Sequence, residues 1–461
     1  MKDTRYFYES FAFYDHEGTV QQLEKRARAG WMIEKVGSVF WKYHRIQPQR
    51  LKFTVTYFAD GSDFDPDLTD KQKQLVEFCQ QDGWSLAAHW GQMQIFYTPQ
   101  EDARPIETDP VIQAETIRRA ICKQALPGQL LKLVLSIYWV WMQLDQLWRR
   151  PLEFLASNYH LLLLLFFTEL LVCTLIETGQ LLHWYIKSKK DTENGEFCCI
   201  RTNRALSAIM MTSATVFLIL AFCYVPGGWK LLAFSLGIVV VMLILGNGIK
   251  SWMKRKGASR NSNRVVSIGL TTVVYLLLFG VMAALIISGR WLDKSRPVGS
   301  WNDGEWTFDV YADPIPLRVE DLVKGTDVEW STLCEEDSSV FLTQTKYSQR
   351  PLSTDPSIPQ ISYTVVQVKT PFLYDFCEKE LLAEAHDEYV HGELLWTDRY
   401  EAVEAGEWGA VRAYQRHGDY GPENSYLLCY PDRFVTINFN ENTPTRQQKE
   451  IVHQKLAQTT R

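Results

Sequence analysis

Apolar runs at residues 161–175, 214–225, 231–245 and 265–287 occupy the middle of a chain whose two ends instead alternate apolar and polar positions. With flanks counted, the last two runs approach or exceed the roughly 18–20 residues a helix needs to cross a bilayer. The pattern predicts an all-α transmembrane block over 129–291 with five helices, at 130–147, 159–185, 205–225, 229–248 and 265–291. The first is the least apolar. It carries Lys132, Gln143 and Asp145, and by length alone it also fits a helix lying at the interface.

Charge in the loops decides its topology. Residues 187–204 hold Lys187, Lys189, Lys190, Arg201 and Arg204, and residues 250–264 hold Lys250, Lys254, Arg255, Lys256, Arg260 and Arg264. Both loops are expected in the cytoplasm by the positive-inside rule. The segment between them then crosses twice, with an outer turn at Val225-Pro226-Gly227-Gly228. The N-terminus shows no basic stretch followed by an apolar core, so no cleaved signal peptide is expected and the preceding domain stays inside. Residues 130–147 must therefore cross, with Trp139, Trp141 and Trp148 as interface anchors and Arg149-Arg150 as a minor violation outside. The expectation is a multi-pass plasma-membrane protein, N-terminus cytoplasmic and C-terminal domain extracytoplasmic.

Residues 1–105 read as an α+β domain with an internal duplication. Aromatic alternation at 5–14 predicts a strand, and Asp15 then opens a helix with Val20, Leu23 and Ala27 on one face, ending at Gly30. Residues 31–45 read as two strands about Gly37. The same order follows: a strand at 51–59, a helix at 70–80 with Leu75, Phe78 and Cys79 inward, and two strands about Gly91 within 84–98. Gly30-Trp31 matches Gly83-Trp84, each glycine ending a helix where a left-handed residue is wanted. Two strand–helix–strand–strand units would pair into one antiparallel sheet with both helices on one face.

These residues carry a family likeness. The stretch LEKRARAGWMIEKVGSVFWKYHR, then FTVTYF and VEFCQQDGWSLAAHWGQMQIFYTP, resembles the bacterial family catalogued as domain of unknown function 2812, over residues 1 to about 105. The resemblance implies a domain that precedes membrane helices and carries no activity to transfer. The duplicated order is also similar, at fold level only, to small-molecule-binding modules of the gyrase-inhibitor type. Trp31, Trp41, Trp84, Phe96 and Tyr97 read as core and sheet surface. Tyr43, His89 and Trp90 are the candidate lining of a groove for an apolar or cationic ligand.

After a linker and helix at 106–128 and the membrane block, residues 292–461 read as a second α+β domain. Strands are expected at 306–312, 328–333, 339–345, 361–369, 401–404, 408–415, 426–429 and 434–438, with helices at 371–389 and 445–457. Leu373, Phe376, Cys377, Leu381 and Leu382 are expected inward. This part holds 29 acidic against 16 basic residues, a balance of −13, which leaves +7 for residues 1–291 of the net −6. Such an acidic domain excludes nucleic acid as its partner. Glu335-Glu336-Asp337 reads as a solvated hairpin tip rather than a calcium loop. His386 and His391, near Asp387, Glu388 and Glu393, lack the spacing of a zinc protease, and adjacent Cys198-Cys199 has no metal-site geometry behind it. Nine cysteines make no disulfide framework; a pair among Cys334, Cys377 and Cys429 stays open.

No P-loop, dinucleotide fingerprint, nucleophile elbow, kinase signature or Cys-x-x-Cys occurs, so no enzyme, cofactor or metal is expected. Ionisable groups within spans are the usual place to look for function. Glu169 and Glu177 share the second helix with Thr168, Thr174, Thr178 and Gln180. Either they form a proton or cation site, or Glu169 bonds to a neighbouring helix while Glu177 snorkels. Gly280, Ala284 and Ser288 would permit helix packing in a homo-oligomer through 265–291. Beyond the lipid bilayer, three roles follow: a sensor or regulator whose cytoplasmic domain binds a small molecule or protein, a transporter or accessory permease subunit using Glu169 and Glu177, or an envelope structural or recruitment protein.

Overall fold

The computed structural model describes residues 3–9, 11–37, 40–58, 60–225, 227–287, 297–303, 306–323, 328–355, 357–385, 388–390, 393–396, 398–439 and 443–457. The chain divides into two compact units. One comprises Met1–Val140, Leu165–Phe217 and Leu231–Ile287; the other comprises Trp141–Leu164, Leu218–Lys230 and Ser288–Arg461.

The duplication is visible in the first unit down to its irregularities. Strand β1 (Thr4–Tyr8), helix α1 (His16–Arg28), β2 (Trp31–Lys35) and β3 (Phe40–Arg45) are followed by β4 (Lys52–Tyr57), α2 (Asp70–Gln81), β5 (Ser85–Trp90) and β6 (Met93–Thr98). Asp15 caps α1 and Thr69 closes a capping box on α2. Gly30 and Gly83 follow the helix ends with φ +80° and +82°, a conformation that costs other residues steric strain. The hairpin β2–β3 shifts register between Ile33 and Lys35, and β5–β6 does so between Leu86 and Ala88, at the equivalent place.

The expected single sheet is replaced by two three-stranded ones, ordered β1-β3-β2 and β4-β6-β5. Strands β2 and β5 approach each other, but among the described residues no ladder joins the two sheets. Nor do both helices share a face. Leu23 and Ala27 of α1 enter a core that takes Ile33, Trp41 and Tyr43 from the first sheet and Phe53, Val55 and Ile95 from the second. Helix α2 covers the other side of the second sheet, with Cys79 on Trp84 and Phe96. Sheet periodicity explains this: Ile95 and Phe96 are neighbours in β6 and point to opposite faces, and both are completely buried. Phe78, expected inward, is 62% exposed, while Gln72 takes a buried place on α2.

Helix α3 (Pro110–Ala120) runs through a π turn (Ile121–Ala125) into α4 (Leu126–Arg149), so linker helix and first span form one rod. Pro127 has no amide to donate to residue 123, and the wider turn sits just before it. Then come α5 (Pro151–Ala156), α6 (Asn158–Glu193), α7 (Arg204–Cys223), α8 (Gly228–Arg255) and α9 (Arg260–Ile287). Among the described residues, five helices are long and apolar enough to cross a membrane: Pro110–Arg149, Asn158–Glu193, Ala205–Cys223, Gly228–Arg255 and Arg260–Ala284. Their apolar side chains, such as Val240, Leu243 and Ile244, are mostly uncovered by protein, as lipid-facing residues are. Residues 288–291 of the expected fifth span lie outside the described residues.

The second unit has a two-stranded hairpin, β7 (Gly299–Asp303) with β8 (Trp306–Val310), a short α10 (Val319–Leu322), and β9 (Trp330–Ser338), β10 (Leu342–Pro351) and β11 (Ile361–Val368). After α11 (Tyr374–Ala383) and the pair β12 (Glu388–Val390) and β13 (Glu393–Trp396) come β14 (Arg399–Val403), β15 (Arg412–Gly418), β16 (Gly421–Tyr430), β17 (Arg433–Asn438) and α12 (Arg446–Val452). Seven strands form an antiparallel sheet ordered β14-β15-β16-β17-β11-β10-β9. Central β16 is buried on both faces: Tyr426, Leu428 and Tyr430 meet Val452 and Leu456, whereas Leu427 and Cys429 meet Cys377 and Leu381.

Several expectations shift here. Helix α11 stops at Ala383, short of residue 389, and Phe376 is 38% exposed. Glu335, Glu336 and Asp337 lie in edge strand β9 rather than at a hairpin tip; Ser339 makes the turn to β10. Residues 406–408 form a 3-10 turn before β15. Helix α5 was not foreseen, and it is built into this unit: Leu152 and Ala156 pack with Leu342, Val366 and Phe434, and Lys346 pairs with Glu153 at 2.7 Å. Cys334, Cys377 and Cys429 are free thiols, the last two in one core. His386, Asp387 and His391 lie outside the described residues, as do the side chains of Glu388 and Glu393.

The placement of α2 makes a contrast testable in thermal unfolding of the intact protein in detergent. Phe96→Ala is expected to lose about 3–5 kcal/mol from the N-terminal domain, whereas Phe78→Ala stays within about 0.5 kcal/mol.

Candidate functional site

Helix α6 ends inside the N-terminal domain. Its covered positions Thr174, Trp184 and Ser188, with Leu181 partly covered, recur at helical spacing and form one stripe. Trp184 is 1% exposed and belongs to the same core as Leu23, Trp41, Tyr43 and Ile95. Ile117, Ala120 and Ile121 bring the α3 rod into that core, and Cys198 brings in the loop after α6. The soluble domain and these helix ends therefore share a single hydrophobic interior.

A second attachment is polar. The loop between β4 and α2 presents Asp60, Asp63 and Asp65 to the basic ends of three helices. Arg260, at the start of α9, grips Asp65 through two bonds of 2.6 and 2.8 Å and also donates to the Asp60 carbonyl at 2.5 Å. Lys250 of α8 reaches Asp63 at 2.6 Å, with Lys254 at 3.7 Å from the same carboxylate. Lys123 pairs with Asp60 at 3.1 Å, and its hydrogen bond, then its charge, holds that carboxyl below the usual range. Asn263, fully buried, donates to the Phe64 carbonyl at 2.9 Å. Asp65 also accepts from the Ser62 amide, which fixes the loop's shape.

The loop between α6 and α7 makes a third attachment. The Ile200 amide donates to the Tyr14 carbonyl at 3.4 Å, and Thr202 donates to Asp15 through its amide and hydroxyl at 3.2 and 2.5 Å. Tyr14 donates to Gln180 at 3.1 Å; burial, then Glu177 and Asp15, raise its pKa to about 12, so it stays a donor.

Several polar groups of the spans are engaged across helices. Glu177 pairs with Lys132 of α4 at 2.6 Å instead of snorkelling alone. Gln129, one turn away on α4, donates to the Thr178 hydroxyl at 3.0 Å and the Thr174 carbonyl at 3.2 Å. Glu169 accepts from Ser213 of α7. Gly280 and Ala284 are uncovered on α9, and Ser288 lies outside the described residues.

Of the candidate groove residues, Tyr43 belongs to the main core and Trp90 packs against it. Tyr43 is fully buried and its hydroxyl lies 3.3 Å from Glu9, so it lines no surface groove. Trp90 is half-buried against the main core. His89 is exposed in part, yet its ring is desolvated: burial first, then Lys254, lowers its pKa, while Asp67 and Asp63 oppose them. His89 thus stands beside the acidic loop, a site the sequence signalled only as the run Asp60–Asp67 facing distant basic loops. In the second unit, a cleft of about 1140 Å3 lies among Trp301, Phe308, Tyr311, Arg350, Asp355 and Phe439. It was not foreseen, because its walls come from strands and turns far apart in the sequence.

Removing the acidic grip should free the helix ends. In Asp63→Asn/Asp65→Asn, amide exchange of residues 259–267 is expected to accelerate several-fold over wild type, with strands β3 and β6 unchanged; exchange-coupled mass spectrometry reads both. Each exposed pair adds only about 0.2–1 kcal/mol, so added salt should narrow the difference.

No curated protein and no solved structure matches the chain. Residues 15–126, from the cap of α1 into the rod that begins the membrane block, match the model of a family described as "Protein of unknown function (DUF2812)".

Proposed function

We propose that the protein is a membrane sensor or regulator of the bacterial cell membrane, in which the state of the N-terminal domain is passed to the membrane helices. The observation that carries this is the shared interior: Trp184 of α6 and Ile117 of α3 are core residues of a soluble domain. A ligand or partner that repacks that domain repacks helix ends with it, and a ligand shifts such an equilibrium by its differential affinity for the two arrangements. The three-point attachment to the α3–α4 rod, α6, α8 and α9 supports transmission rather than simple tethering. The N-terminal domain is assigned to the cytoplasm and the acidic C-terminal domain to the outside. Supporting this, the basic loops flanking α7–α8–α9 attach to the N-terminal domain, while the α4–α6 turn belongs to the C-terminal unit. The aromatic-walled cleft of the C-terminal unit suits it to sample envelope molecules. No catalytic residue, cofactor or nucleic-acid partner is assigned.

A second role, as a transporter or accessory permease subunit, draws on one observation. Glu169 uses one carboxylate oxygen for Ser213, and its other is buried without a hydrogen-bond partner. Envelope recruitment remains the reading if neither activity is found.

A reporter fused after residue 461 should behave as extracytoplasmic; cytoplasmic activity contradicts the five-crossing orientation. Small-molecule screening by melting shift on the intact protein should find ligands that raise the N-terminal transition, about 2.7 kcal/mol at a hundredfold excess over Kd. Glu169→Gln should leave ion or substrate flux unchanged in a sensor, whereas loss of flux with normal folding would favour transport.

A further inference from the structure

The seam between α1 and the α6–α7 loop holds a set of donors that no role above uses. His16 and Glu17 open α1, and Cys199 reaches them from a loop some 180 residues away. One ligand atom from each lies within 4.8 Å of the other two. An ion between them needs less than about 1 Å of closing to reach the usual 2.0–2.3 Å to nitrogen, oxygen and sulfur. An independent observation marks the place: His16 Nδ1 is buried and has no hydrogen-bond partner. Orphaned buried polar atoms are uncommon and call for an occupant or a function.

We propose that His16, Glu17 and Cys199 form a site for a late divalent transition-metal ion of the zinc type. A thiolate with an imidazole selects such an ion over calcium or magnesium, and the carboxylate supplies the third ligand, leaving a fourth position for water. Asp15 is occupied with Gly18 and Thr202 and stays outside the coordination sphere. Burial keeps the His16 imidazole neutral and ready to ligate. It also raises the Cys199 thiol to about 11, so the thiol is inert until an ion arrives. Binding forms one metal–sulfur bond and sends the thiol proton to solvent, so affinity rises with pH. The ion would pin the start of α1 to the loop that already holds it through Thr202 and Ile200. The α1 N-terminus carries partial positive charge, which Glu17 and the thiolate offset.

The test uses the full chain in detergent, free of any affinity tag, with Zn2+ or Co2+ as the probe. About one ion per chain should survive desalting, and Co2+ should give a thiolate-to-metal charge-transfer band. Cys199→Ser should lose both, and Cys198→Ser should keep both. In the unaltered protein, Zn2+ should slow alkylation of Cys199, read by peptide mass spectrometry, which needs no variant to fold. No retained ion, a band that survives Cys199→Ser, or equal alkylation with and without Zn2+ would each overturn the site.

Discussion

Trp184 has an indole that belongs to two structures at once: it lies on a helix long enough to cross a membrane, and it fills the core of a soluble domain. Removing a buried side chain of that size costs about 3–5 kcal/mol, a large share of what holds a small domain together. The domain therefore cannot settle its core without the end of α6, and α6 cannot leave without opening the core. The other attachments depend on that placement. Half-buried ion pairs such as Asp63 with Lys250 contribute little singly, and they form because the hydrophobic contact has already brought the acidic loop to the helix ends. Charge then selects the partners, since three carboxylates face four cations from the α3–α4 rod, α8 and α9.

Inside the bilayer region the polar groups obey the same economy. Lys132 with Glu177 and Gln129 with Thr178 join α4 to α6, and Ser213 with Glu169 joins α6 to α7. Polar groups in hydrocarbon find partners because leaving them unpaired costs more there than in water. Helix α6 is thus the common member: it meets α4, α7 and the N-terminal core along one length. A displacement of the domain core has a rigid element to act on, which is the physical content of the proposed regulatory role.

Local chemistry was legible in the sequence. Asp15, Thr69, Gly30 and Gly83 marked the helix ends of the first domain, and the Gly-Trp repeat announced a duplication whose bulges then matched. Apolar runs located five helices, since a bilayer demands a length that is easily counted. What was hidden is how faces are shared. Periodicity says that Ile95 and Phe96 point apart, but not that both sides of their sheet are covered, one by α1 and one by α2. Phe78 and Phe376 looked inward by spacing and are exposed, because the width of the covered face depends on the partner element. Tyr43 looked like groove lining and is core. Helix α5 and the acidic loop escaped notice because most of their partners lie more than a hundred residues away.

The central claim is that the N-terminal domain and the end of α6 form one cooperative structure. Native-state hydrogen exchange of the intact protein in detergent, across a urea series, tests it most directly. Amides of residues 186–193 should join those of β3 and β6 in a single unfolding isotherm, with one midpoint and one slope. If the α6 end keeps its own protection after the strands have opened, or loses it while they remain closed, domain and helix are merely linked and the account fails.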